Sequence, residues 1–254
     1  MANPGKLVVG IHQAVSFSAA MVRVPEAEAV FWPGCALMTL EPFVLERTLA
    51  VLRRAEPEIR LAAACCGNPS GCLFPKLAET RKGKLLKLLA KRGVKRIYTA
   101  CPNCTAQLRS FGLEVKPIWP VLAQYLVESD MEADTGSYIW HDPCPTRKDA
   151  LQQEAVRQIL ALRGCDCIQP IHTGCKTLCC GNRNMLHCTN PEASKQIRDR
   201  RLSEFPEHRT IVSSCEGCLS AFRGADRDTA HLLELLFGKS ESRSWGNRIK
   251  NTWK

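Results

Sequence analysis

The chain has 254 residues, 45% of them hydrophobic and 24% charged, with a formal net charge of +10. That length and apolar content allow one large core or two small ones. No run of about 18 uncharged apolar residues is present, which excludes a helical membrane span. In chain order, residues 1–28 read as an N-terminal extension, in which Lys6 precedes Leu7-Val8-Val9 and small residues follow at Ser18-Ala19-Ala20. His12, Gln13 and Ser16 dilute what would otherwise resemble an export signal, so a cytoplasmic location is expected.

From Ala29 the pattern alternates strand and helix. Ala29-Val30-Phe31-Trp32 predicts a buried strand ending at Pro33-Gly34-Cys35, and Pro42 to Arg54 has apolar residues at helical spacing. Ile59 to Ala64 leads into Cys65-Cys66, Leu77 to Lys91 predicts an amphipathic helix closed by Gly93, and Val94 to Thr99 predicts a strand running into Cys101. A polar, acidic, turn-prone stretch from Ser129 to Ser137 follows as the linker between two domains, 29–129 and 137–238. The second half repeats the series: Tyr138 to Trp140 before Cys144, a helix near Ala150 to Leu162, a strand at Ile168 to Ile171, a helix near Pro191 to Phe205, and Thr210 to Ser213 before Cys215. Helices at Pro120 to Val127 and His231 to Phe237 close the copies, and 239–254 reads as a basic tail with Arg243, Trp245, Arg248, Lys250 and Trp253. The expected fold is two tandem α/β domains, each a small, mainly parallel sheet flanked by helices.

Every cysteine cluster follows a predicted strand, where open parallel sheets gather their ligands. The set Cys35, Cys65, Cys66, Cys101, Cys104 recurs in order as Cys144, Cys179, Cys180, Cys215, Cys218. Four of the five pairs keep one constant offset, and a single short length difference accounts for the fifth. A repeated interval of this kind marks a duplicated unit. Adjacent Cys-Cys and Cys-x-x-Cys pairs point to metal or redox chemistry in a reducing compartment. Cys104 and Cys218 would start helices, whose positive ends favour thiolates.

Zinc is the alternative occupant, since four thiolates complete a tetrahedral ion, but five donors with adjacent cysteines suit a larger core presenting several irons. The positive charge offers either nucleic-acid affinity or compensation for anionic metal–thiolate groups. Two four-iron cores on ten thiolates would bring the net to about +4, and no nucleic acid is expected. Cys72, Cys165, Cys167, Cys175 and Cys188 lie outside the repeat and read as small buried hydrophobes. His141, Asp142 and Arg147 flank Cys144 and are candidates to hydrogen-bond cluster sulfur, hold an anionic substrate or shape the turn.

Phe31-Trp32-Pro33-Gly34-Cys35, Cys65-Cys66-Gly67-Asn68-Pro69, Ala100-Cys101-Pro102-Asn103-Cys104, His141-Asp142-Pro143-Cys144, Cys179-Cys180-Gly181 and Cys215-Glu216-Gly217-Cys218 together resemble the cysteine-rich CCG domain proteins, of which the catalytic, B-type subunit of heterodisulfide reductase is one example. The resemblance covers nearly the whole chain. It implies that each five-cysteine set binds a noncubane 4Fe-4S cluster, one on Cys35, Cys65, Cys66, Cys101 and Cys104 and one on Cys144, Cys179, Cys180, Cys215 and Cys218. It also implies an oxidoreductase, or its catalytic subunit, that handles a small-molecule disulfide or thiol between two clusters. Asn182-Arg183-Asn184 departs from the family, which follows its second Cys-Cys-Gly with further glycines. The alternative reading is an electron-transfer subunit of the kind found in lactate, glycolate and glycerol 3-phosphate oxidation systems. With no Cys-x-x-Cys-x-x-Cys-x-x-x-Cys run and no G-x-G-x-x-G, electrons must come from or go to a ferredoxin-like protein or a flavoprotein subunit.

Overall fold

The computed structural model describes residues 4–133 and 135–253. Asp134 of the expected linker, the first three residues of the extension and Lys254 of the tail lie outside them. The chain divides into two compact units, one running to Ile118 and resuming at Glu241, the other spanning Trp119 to Ser240.

The first unit begins with α1 (Pro4–Ser16), then β1 (Ala29–Trp32), α2 (Pro42–Leu52), β2 (Arg60–Leu61), α3 (Asn68–Leu73), α4 (Pro75–Lys91), β3 (Arg96–Thr99), α5 (Pro102–Arg109) and β4 (Glu114–Pro117). The second contains α6 (Trp119–Tyr125), β5 (Ser137–His141), α7 (Ala150–Arg163), β6 (Asp166–Ile168), α8 (Leu186–Thr189), α9 (Pro191–Leu202), β7 (Thr210–Ser213), α10 (Glu216–Arg223), β8 (Thr229–His231) and α11 (Leu232–Phe237). A final helix, α12 (Trp245–Trp253), belongs to the first unit.

Each unit holds a four-stranded, all-parallel sheet, ordered β2-β1-β3-β4 in the first and β6-β5-β7-β8 in the second. The expected α/β architecture is therefore present twice. Register is equivalent in the two: Ala29, Val30, Phe31 and Trp32 pair with Arg96, Ile97, Tyr98 and Thr99, as Tyr138, Ile139, Trp140 and His141 pair with Thr210, Ile211, Val212 and Ser213. All four β1 residues are buried, as a central strand covered on both faces requires. Around β1, Val30, Trp32, Ile97 and Val115 pack with Ala62, Leu85, Leu89 and Leu108, and around β5, Ile139 and Ile211 pack with Phe205 and Phe222.

Boundaries shift where the pattern is poorest. The strand expected at Ile168 to Ile171 lies at Asp166–Ile168, because Pro170 ends it early and Ile171 is left 86% exposed. The helix expected at the end of the first repeat is α6, which packs on α7 in the second unit.

Candidate metal centres

A parallel sheet puts all strand carboxyl ends on one side, so the loops after β2, β1 and β3 meet there. Cys35 follows β1, Cys65 and Cys66 follow β2, Cys101 follows β3 and occupies the N-cap of α5, and Cys104 sits in the first turn of that helix. The Sγ atoms of Cys35 and Cys65 are 3.8 Å apart, and those of Cys66 and Cys104 are 3.3 Å apart. An S–S bond spans about 2.05 Å, whereas two thiolates on one tetrahedral metal sit about 3.8 Å apart. Cys65, Cys66 and Cys104 are buried, Cys35 and Cys101 half-buried, and no disulfide joins the described cysteines.

The backbone makes room for this cluster. A Cβ on Gly34 would stand 3.1 Å from Cys104 Sγ and 3.3 Å from Cys101 Cβ, closer than side chains normally approach. Gly67 and Gly181, the glycines after each Cys-Cys pair, have φ of +79° and +87°, a region open to glycine at little cost.

Polar support in the first unit comes from a helix outside the repeat. Gln13 of α1 is fully buried and donates through Nε2 to Cys65 Sγ at 3.5 Å. Its Oε1 accepts from Ser70 Oγ at 2.8 Å, and Arg81 Nη1 donates to the same Ser70 oxygen. The Gly67 amide donates to Cys65 Sγ at 3.4 Å. Hydrogen bonds from Cys35 and Cys66, with those from Gly67 and Gln13, hold the Cys65 thiol well below its usual range, while the Cys65 hydrogen bond and burial push Cys35 up. Cys101 is lowered by Cys104 and by the amides of Asn103 and Cys104 at the start of α5. One thiolate is thereby favoured in each part of the set.

The second unit repeats the sulfur geometry. Cys144 follows β5, Cys179 and Cys180 follow the long loop after β6, Cys215 caps α10, and Cys218 lies in its first turn. Cys144 and Cys179 Sγ are 3.9 Å apart, and Cys180, Cys218 and a ring nitrogen of His141 all lie within 4.8 Å of one another. Cys179 is lowered to about 2 by Cys144, Cys180 and the amides of Arg183 and Gly181. Arg183 Nη1 approaches Cys144 Sγ at 3.8 Å, so the residue that departs from the family pattern faces the sulfur set.

The three flanking candidates have three different places. His141, fully buried at the end of β5, stacks edge-on against Phe222, and its Nδ1 accepts from Arg201 Nε at 3.1 Å. Burial and the Arg201 charge lower its pKa to about 3, so the ring is neutral. Asp142 braces the loop behind the site: it accepts from Trp140 Nε1 at 2.8 Å, from Arg157 Nη1 at 2.7 Å, and from Thr173 Oγ1 and the Gly174 amide at 2.7 Å each. Burial alone would raise its carboxyl, but these bonds, led by Arg157, bring it to about 2. Arg147 donates to the Thr177 carbonyl at 2.9 Å and so fixes the loop entering Cys179.

Of the cysteines outside the sets, Cys72 lies on α3, Cys167 on β6 with Cys165 just before it, Cys175 is exposed, and Cys188 is fully buried on α8, its Sγ 3.2 Å from His187 Nε2. Gln13, Ser70, Arg81 and Arg201 went unrecognised in the sequence. The only signal for Gln13 was a polar residue breaking an apolar run.

The two halves match one family model, the cysteine-rich domain CCG, over residues 29–109 and 138–223. The chain belongs to this CCG cysteine-rich domain family. Clustered cysteines in a CCG protein support metal binding, iron–sulfur binding included. No curated protein matches the sequence. Among solved structures, aspartate racemase from Picrophilus torridus aligns at 9% identity and a TM-score of 0.35, covering 89% of this CCG chain and 100% of its own. Glutamate racemase isoform RacE1 from Bacillus anthracis aligns at 12% identity and 0.35, covering 82% and 77%, and an aspartate racemase homologue from Pyrococcus horikoshii at 13% and 0.32, covering 90% and 100%.

Proposed function

We propose that this CCG protein is an iron–sulfur oxidoreductase, or the catalytic subunit of one, acting on a disulfide or thiol pair. The observation that carries the reading is the duplicated sulfur set. In each unit two pairs of cysteines stand at contact distance or nearly so, Cys35 with Cys65 and Cys66 with Cys104, then Cys144 with Cys179 and Cys180 with Cys218, with Cys101 or Cys215 as a fifth donor. Five soft donors, two of them adjacent in sequence, exceed what one tetrahedral zinc accepts and suit a larger inorganic core.

Cys35, Cys65, Cys66, Cys101 and Cys104 would hold one four-iron, four-sulfur core, and Cys144, Cys179, Cys180, Cys215 and Cys218 the other. Such cores supply one electron at a time. Opening a disulfide takes two electrons and two protons and yields two thiols, so a pair of one-electron centres matches the stoichiometry. The electrons would come from a separate ferredoxin-like or flavoprotein partner. The protein's own residues set the stage: Gln13 and the Gly67 amide hold negative charge on Cys65, and Arg183 faces Cys144. Asp142 and Arg147 keep the loop into Cys179 rigid.

Iron and acid-labile sulfide in anaerobically purified protein test the reading: about eight of each per chain is expected. Zinc without sulfide overturns it. Cys66→Ser and Cys180→Ser should each remove one centre and abolish disulfide reduction, whereas a reduced protein that passes electrons to a partner but never to a small-molecule disulfide is an electron-transfer subunit.

A further inference from the structure

Two ring N–H groups are stranded in the cores. Trp32 is fully buried and its Nε1 has no hydrogen-bond partner among the described residues. His141 is fully buried and its Nε2 has none either. They are equivalent positions, since Trp32 precedes Cys35 as His141 precedes Cys144, and each ends the central strand of its sheet. A buried donor left unpaired carries the whole cost of its lost hydration, so two at one structural position mark a missing acceptor.

No cysteine sulfur among the described residues serves either donor, and both lie beside the sulfur sets, so the acceptor belongs to what those sets would hold. Trp32 lies in the same buried cluster as Cys66 and Cys104, and a ring nitrogen of His141 lies within 4.8 Å of Cys180 and Cys218 Sγ, their counterparts in the second set. Tryptophan can only donate. His141 is held to the same role by Arg201: a guanidinium Nε–H also only donates, so the Nδ1 it reaches at 3.1 Å carries the lone pair, and the proton of the neutral ring sits on Nε2. Metal coordination through Nε2 would strip that proton. Arg201 itself is fully buried, with Nη2 unpartnered among the described residues.

We propose that Trp32 Nε1–H and His141 Nε2–H are hydrogen-bond donors to the inorganic sulfide of the cores that the two cysteine sets would hold, on the Cys66/Cys104 and Cys180/Cys218 sides, and that His141, held by Arg201, is a positioning residue that raises the reduction potential of the second centre. Donors and positive charge beside sulfur stabilise the more negative, reduced form. The acceptor and the effect on potential both rest on the iron–sulfur reading, since neither ring N–H reaches a cysteine sulfur among the described residues; the His141 tautomer does not.

The test is an EPR-monitored redox titration of the whole protein, together with pulsed EPR after ring-15N histidine labelling. His141→Phe should shift the reduced-to-oxidised ratio of one centre about tenfold toward oxidised at fixed potential, about 59 mV lower, and leave the other unchanged. Trp32→Phe should do the same to the other centre. His141→Gln, which keeps an N–H donor, should restore part of the loss, and Arg201→Met should lower the same centre as His141→Phe. Unmodified protein should show a weak 15N coupling, so the inference stands on it even where a variant loses metal. An unchanged potential in both ring variants at wild-type iron content, or the strong coupling of an iron-bound nitrogen, overturns the proposal. If metal analysis returns zinc instead, the sulfide acceptor is overturned with the iron–sulfur reading, and 15N-edited NMR tests the tautomer by itself: a proton on Nε2 supports it and a bare Nε2 overturns it.

Discussion

The two units place five sulfurs by the same sheet order and register, yet support them by different means. In the first, a buried arginine reaches the set through Ser70 and Gln13 and ends on Cys65, the first cysteine of the adjacent pair. In the second, Arg201 acts through His141 beside Cys180 and Cys218. Gln13 belongs to α1, outside the duplicated segment, whereas His141 is a residue of the repeat itself. Duplication thus fixed where the sulfurs stand, and unduplicated side chains set the charge around them. Two sulfur sets built on one plan acquire different electrostatics in this way.

The largest break in this parallel should come from Asp142, whose counterpart before Cys35 is Pro33. Asp142→Ala leaves the Trp140 indole and the Gly174 amide without their acceptor and Arg157 without its carboxylate, so the second unit should lose about 4 kcal/mol in denaturant unfolding while the first keeps its own transition. The carboxyl also links stability to pH. Its pKa is about 2 folded against 3.8 as a free group, so its contribution is complete above pH 4 and vanishes as pH falls toward 2. Asp142→Asn should remove about 2 kcal/mol of that acid-dependent stability.

The glycines of the two Cys-Cys-Gly motifs sharpen the contrast at intermediate size. An added Cβ at Gly181 runs into the Ser194 carbonyl, whereas at Gly67 it meets only the Phe17 ring at 3.5 Å. Gly67→Ala should cost about 1 kcal/mol, the strain of a left-handed alanine, and Gly181→Ala about 3 kcal/mol, since overpacking is added. Paired denaturant melts would show it, and equal losses would mean that strain alone matters. Smallest is Gln13→Met, which keeps the volume but removes the donor to Cys65. It should cost about 1 kcal/mol and alter only the first centre's absorption spectrum.

Much of the frame was legible in the sequence because strands ending in cysteine announce themselves by composition. β1 and β7 lie where their β-branched and aromatic runs put them. The outer strands β4 and β8 escaped, since Glu-Val-Lys-Pro and Thr-Ala-His are short, poor in strand formers and paired on one side only. α12 misled for a more specific reason. It buries Asn247, Arg248, Asn251 and Thr252 and exposes Trp245, Ile249 and Trp253, so its apolar stripe points away from the face that packs. Hydrogen bonds do the anchoring: Asn251 Nδ2 donates to the carbonyls of Met38 and Leu40 at 2.9 Å, and Asn247 Nδ2 to that of Thr39 at 3.3 Å. Hydropathy patterns carry no signal for such a contact. For the candidate site, spacing singled out the ten repeated cysteines, but not Gln13, Ser70 and Arg201, because a lone polar residue shows its partner only after folding.

Because α12 docks on the first unit, that unit is split in sequence around the second. Arg248 Nη2 donates to Ser16 Oγ at 3.0 Å, joining the last helix to the first. The second unit is continuous in sequence, whereas the first closes only when the segment from Glu241 returns to it past the whole of residues 119–240, a loop closure whose entropic cost rises slowly with length.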